Sequence, residues 1–256
     1  MMWKLIFLVT TCNIALVSGC KSKSKLPVRP YPYPECGINL LDCKVTGTIK
    51  GGTEAKENAF PWLVFIYSYD RRAIGLDMKN LDLPESCKTT SPKKNGPASR
   101  ICGGSLINPR YVMTAAHCVA CRTIEDTAVV LGENIVEVDF TTNFKYLANI
   151  HIFPKYKRSL KQDLKNNPDV ALLQLEFAVT FGPTINAICL PSGPYRLYED
   201  ETMAIAGWGV SDNNQVSKKL METTVTVYPN KNCKTWGGYN FLKRYLITLQ
   251  DCQLDI

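Results

Sequence analysis

Runs of β-forming apolar residues, separated by polar turns, recur along most of this chain. Phe60-Pro61-Trp62 leads into Leu63-Val64-Phe65-Ile66-Tyr67, an unbroken apolar run that predicts a strand. Tyr111-Val112-Met113-Thr114 predicts another, as do Val129 to Glu133 and Val136-Glu137-Val138. Val170 to Leu175 follows a Pro-Asp turn, and Leu220 to Val227 alternates between apolar and polar positions. His151 sits inside the alternating Ile150-His151-Ile152 and reads as structural. Residues 70–100 form a long polar insertion rich in Lys, Ser, Pro and Asn, and residues 156–167 read as a basic, solvated surface loop. The pattern predicts an all-β protein.

Composition narrows this picture. A chain of 256 residues can bury a sizeable core in one large all-β domain or two small ones. The net charge of +7 is modest and, without Arg/Lys-aromatic motifs, does not argue for nucleic acid as a partner. Residues 1–19 read as a secretory signal: Lys4, a mostly apolar run from Leu5 to Val17, then small residues at Val17-Ser18-Gly19. Val17-Ser18-Gly19-Cys20 also has the form of a lipoprotein cleavage box. The apolar run is too short and polar for a transmembrane helix, and no later segment suits one. Residues 20–48 follow as a Lys/Ser and Pro-Tyr-Pro leader, extended rather than packed. There are 11 cysteines, one of which, Cys12, would leave with the signal. An even remainder in an oxidising compartment argues for disulfides over metal, and Cys118-Val119-Ala120-Cys121 has no second pair to complete a zinc site. No metal and no cofactor are expected.

The candidate chemistry lies in a set of ordered motifs. Cys102-Gly103-Gly104-Ser105-Leu106-Ile107 precedes Thr114-Ala115-Ala116-His117-Cys118. Pro168-Asp169-Val170-Ala171-Leu172-Leu173 comes next, then Ile188-Cys189-Leu190-Pro191, Ala204-Ile205-Ala206-Gly207-Trp208-Gly209 and Tyr228 to Cys233. Ile49-Lys50-Gly51-Gly52 stands at the front. In this order they resemble the trypsin/chymotrypsin-like serine proteases, from Ile49 onward. A lone His is by itself more often a satisfied structural residue, and an Asp after Pro is ordinary turn chemistry; the shared motif order outweighs both readings. The resemblance implies a trypsin-like double six-stranded Greek-key β-barrel in residues 49–256, with a first barrel at about 49–188 and a second at about 189–256. It implies that His117 is the general base and that Asp169 accepts from its Nδ1–H, fixing the tautomer. It also implies a Cys102–Cys118 bridge under the His loop, and a Cys36–Cys189 bridge tethering the leader, with Cys43 as a competing partner. The long insertion is expected beside the loop after His117, which suggests Cys87–Cys121; Cys20 and Cys43 remain alternatives for Cys87. Activation cleavage is implied before Ile49. Two departures stand there: Thr48 replaces the usual basic residue, and Lys50 replaces a small apolar one.

The family's Gly-Asp-Ser-Gly-Gly-Pro motif does not occur in these residues. With it go the nucleophile that His117 would activate, the N–H donors of the oxyanion hole and the carboxylate that would pair with a freed Ile49 amine. Ser211 and Ser217 are poor substitutes in a polar run without a Gly-flanked elbow. The expectation is a secreted, monomeric member of a serine endopeptidase family, with an incomplete second barrel, inactive as written. The competing expectation is a non-catalytic homologue that binds a protease, an inhibitor or another component of an extracellular cascade.

Overall fold

The computed structural model describes residues 13–17, 36–37, 53–69, 87, 98–135, 144–157, 168–190, 202–208, 217–227 and 254–255. Ile49 to Gly52, most of the leader, Ser211, residues 136–138 and 228–233, and Cys20, Cys43, Cys233 and Cys252 lie outside them. Six strands close into an antiparallel barrel: β3 (Leu63–Tyr69), β4 (Ala98–Asn108), β5 (Tyr111–Thr114), β6 (Thr127–Leu131), β7 (Phe144–Ile152) and β8 (Ala171–Leu175). Around the barrel the order is β3-β4-β5-β8-β7-β6, so no edge is left open. The chain is all-β with the fold of a trypsin-like double barrel, of which this is the first unit.

Burial explains which strands the sequence announced. Every residue from Leu63 to Ser68 is buried, with Val64 and Ile66 fully so, because β3 is covered on both faces. In β8 burial alternates, with Ala171, Leu173 and Leu175 inward. Val112, Leu106, Val129 and Val130 join them in one continuous core, each such side chain contributing roughly 1.5–3 kcal/mol. β7 shows little of this, since only Leu147 of its nine residues is buried. Phe144, Ile150 and Ile152 pack against the core only partly buried, and the alternation is broken by a register shift between Leu147 and Asn149. A second shift, between Ile66 and Tyr67, lets β3 and β4 curve together. The polar insertion is slightly shorter than the sequence suggested, because residues 98–100 already belong to β4.

A second sheet of five strands packs beside the barrel. β9 (Thr202–Trp208) pairs with β10 (Met221–Val227), and β10 also takes β2 (Thr53–Glu54) and β11 (Leu254–Asp255). Trp208 is buried against Phe65, with ring centroids 3.4 Å apart, which seats β9 on the barrel wall. The outer edge of β9 is paired with β1 (Asn13–Val17), from Asn13 opposite Trp208 to Val17 opposite Ala204. The apolar run that reads as part of a signal therefore forms a strand, since β9 would otherwise present unpaired N–H and C=O groups. Cleavage after residue 19 would uncover that edge.

Gly104 marks where β4 and β5 approach too closely for a side chain. A Cβ there would lie 2.8 Å from Val112 Cγ1 and 2.9 Å from the Met113 carbonyl oxygen. We expect Gly104→Ala to lower stability by about 1–3 kcal/mol, read as a lower urea midpoint at unchanged slope.

Candidate active site

The His loop is built by β5 and the turn that follows it. Thr114 ends β5 and donates from Oγ1 to the Gly103 carbonyl, 2.8 Å away, locking the strand end to β4. Ala115 is extended, and a single turn of helix, α1 (Ala116–Val119), carries His117. Ala115 and Ala116 are fully buried; their small side chains let the turn sit tightly on the barrel. Cys118 is bonded to Cys102 on β4, with Cα atoms 6.1 Å apart, so the residue after His117 is fixed as firmly as the strand before it.

Strand register brings the carboxylate. β5 and β8 are antiparallel with Thr114 opposite Ala171. The paired strand ends therefore bring the segment before Ala171, which holds Asp169, close to the turn after Thr114, which holds His117. Both carboxylate oxygens are then used: His117 Nδ1 lies 2.6 Å from Asp169 Oδ2, and the His117 backbone N–H donates to Oδ1 at 2.8 Å. The Asp169 side chain is 2% exposed and that of His117 35% exposed. A buried carboxylate is sustained by such hydrogen bonds, and the paired contact fixes the position of the ring as well as its orientation. With the Nδ1 proton committed to Asp169, the Nε2 lone pair is left for an incoming proton. Nε2 is 3.6 Å from Cys118 Sγ, a disulfide sulfur that carries no proton and competes only weakly.

The structure also places Cys36 against Cys189 and Cys87 against Cys121, both as disulfides, with Cα separations of 5.0 and 5.2 Å. Beside the first, the Gly37 N–H donates to the Ala187 carbonyl at 2.7 Å, from a backbone with φ +69°. The second anchors buried Cys87, from the polar insertion, four residues beyond His117. Cys102, His117 and Cys118 cluster closely enough to suggest a metal site, but the two sulfurs are bonded to each other and are not free as thiolate ligands. His151 is exposed, its Nε2 3.2 Å from Gln174 Oε1, away from this arrangement. Ser217 spends its hydroxyl on the Lys219 carbonyl in its own turn. Two residues carried no sequence signal. Asp126 is fully buried and accepts from the Thr123 N–H and the Thr127 hydroxyl, closing the loop after α1. Asn134 joins the barrel to the second sheet.

A profile of the Trypsin family matches residues 49–253. The chain belongs to the trypsin family. It is 30% identical over 235 residues to CLIP domain-containing serine protease B4 of Anopheles gambiae, covering 86% of this chain and 56% of that protein. It is 32% identical over 163 residues to Venom serine protease 34 of Apis mellifera, covering 60% and 40% respectively. It is 29% identical over 231 residues to Phenoloxidase-activating factor 3 of Holotrichia diomphalia, covering 85% and 56%. The chain thus spans about half the length of these relatives.

In this trypsin-family chain the Cys102–Cys118 bridge spans 16 residues. Replacing both cysteines by serine is expected to cost about 3 kcal/mol in urea unfolding, through loop closure in the unfolded chain.

Proposed function

We propose that this chain carries the general-base half of a serine endopeptidase site, with His117 as the base and Asp169 as the group that orients it. The two-oxygen contact of Asp169 with the ring and the backbone N–H of His117 carries this reading. In peptide-bond hydrolysis, His117 Nε2 takes the proton of a serine hydroxyl as the oxygen attacks the scissile carbonyl. It then returns that proton to the leaving amine, while Asp169 stabilises the imidazolium. A serine and two N–H donors for the oxyanion complete such a site, and the 256-residue sequence contains no Gly-Asp-Ser-Gly-Gly-Pro segment to supply them. Hence a polypeptide of these residues alone is inactive.

The proposed setting is extracellular, with residues 1–19 as the signal and 20–48 as the leader. No helix among the described residues is long and apolar enough to cross a membrane. The Cys36–Cys189 bridge would keep the leader attached after a cut before Ile49. Thr48 at that cut argues against a trypsin-like activator. Protein substrates or protease inhibitors are the proposed partners of a monomer. A relative named as a phenoloxidase-activating factor favours a regulated cascade over digestion.

The second reading is a non-catalytic homologue acting as a partner or decoy, which would keep His117 and Asp169 without a nucleophile. Sequencing the transcript beyond the Ile256 codon separates the two. An in-frame Gly-Asp-Ser-Gly-Gly-Pro supports the endopeptidase; a stop codon supports the homologue. Under either reading, a fluorophosphonate probe should leave the purified 256-residue chain unlabelled. Stoichiometric serine labelling would overturn the claim of inactivity.

A further inference from the structure

A three-way junction lies where the barrel meets the second sheet. β6 ends at Leu131, and Gly132, at φ +76°, turns the chain outward into a short loop reaching Ile135. Asn134, half-buried on this loop, uses its side chain and its backbone in different directions. Its Nδ2 donates to the Lys56 carbonyl at 3.0 Å, and its Oδ1 accepts from the Asn58 N–H at 3.4 Å. Its backbone carbonyl accepts twice, from the Trp208 indole N–H at 2.9 Å and from the Leu220 N–H at 2.8 Å. Leu220 closes the ring, since its own carbonyl accepts from the Ala55 N–H at 2.8 Å. Residues 53–58, the β9 end and the lead into β10 therefore meet at one residue of the barrel.

We propose that Asn134 is a positioning residue: its side-chain amide fixes residues 53–58, the segment just beyond the candidate cleavage before Ile49, against the barrel that carries His117 and Asp169, while its backbone carbonyl receives Trp208 and Leu220. Its use in catalysis rests on the endopeptidase reading; the mechanical coupling does not, and can fail separately. The physical reason is directional. Trp208 packing on Phe65 is non-directional burial, whereas the hydrogen bonds at Asn134 fix distance and direction. An amide is suited to the place because it donates and accepts at once, and neither a carboxylate nor an ammonium does both. The neighbouring Lys219–Glu54 ion pair, 2.7 Å long, is half-exposed on both sides and is a weak alternative clamp.

Hydrogen exchange followed by mass spectrometry on the whole chain tests this. Asn134→Ala, which removes the amide and keeps the backbone carbonyl, should speed exchange about tenfold in residues 53–58, with less than about a twofold change in 63–69, 171–175 and 202–208. Asn134→Asp, which keeps an acceptor for the Asn58 N–H, should fall between Ala and the native residue at residues 53–58, and provides the reading if the Ala variant does not fold. Lys219→Ala should change exchange by less than about twofold. The proposal is overturned if residues 53–58 are unaffected, if the increase spreads evenly over the barrel strands, or if Lys219→Ala matches Asn134→Ala.

Discussion

The contact between Asp169 and His117 sets the terms for the rest of this structure. A carboxylate with 2% of its side chain exposed is tolerable only where its oxygens are hydrogen-bonded. Here one oxygen faces the imidazole and the other a backbone N–H of the same residue. That double contact requires α1 to sit at one height above β8, and several features serve this placement. The β5–β8 register brings the two segments together, the Thr114 hydroxyl ties the strand end to Gly103, and the Cys102–Cys118 bridge holds the far side of the turn. Breaking any one of them would trade a fixed imidazole for a mobile one.

His117 and Asp169 are thus both carried by a single closed barrel. The second sheet contributes none of the atoms in this contact. It is held to the barrel by the Trp208–Phe65 packing and by the Asn134 junction, which are of different kinds: one is non-directional burial, the other a set of directed hydrogen bonds. Trypsin-family membership and the barrel geometry account for the arrangement of His117 and Asp169.

How legible each part was in the sequence follows from how local its signal is. β3, β5 and β8 were plain, because their apolar runs match their burial, and His117 and Asp169 stood out through the motifs around them. β7 was legible only at Ile150-His151-Ile152, since eight of its nine residues keep some exposure and the register shift spoils its period. The apolar run at Asn13–Val17 supports two structures, an excised signal or a strand on β9, because both need only a short extended or apolar segment. Asn134 was invisible for another reason: half of its bonds run through its backbone carbonyl, which every residue has. Asp126 likewise carried no sequence signal, although it is wholly buried.

The claim that Asp169 prepares His117 as a base is tested most directly by nitrogen-15 NMR of the ring in the purified chain, with exposed His151 as the internal reference. The account predicts that neutral His117 holds its proton on Nδ1, slow to exchange, with Nε2 bare, and that Asp169→Asn abolishes this state. A His117 that carries its proton on Nε2, or that interconverts between tautomers as freely as His151, would contradict it.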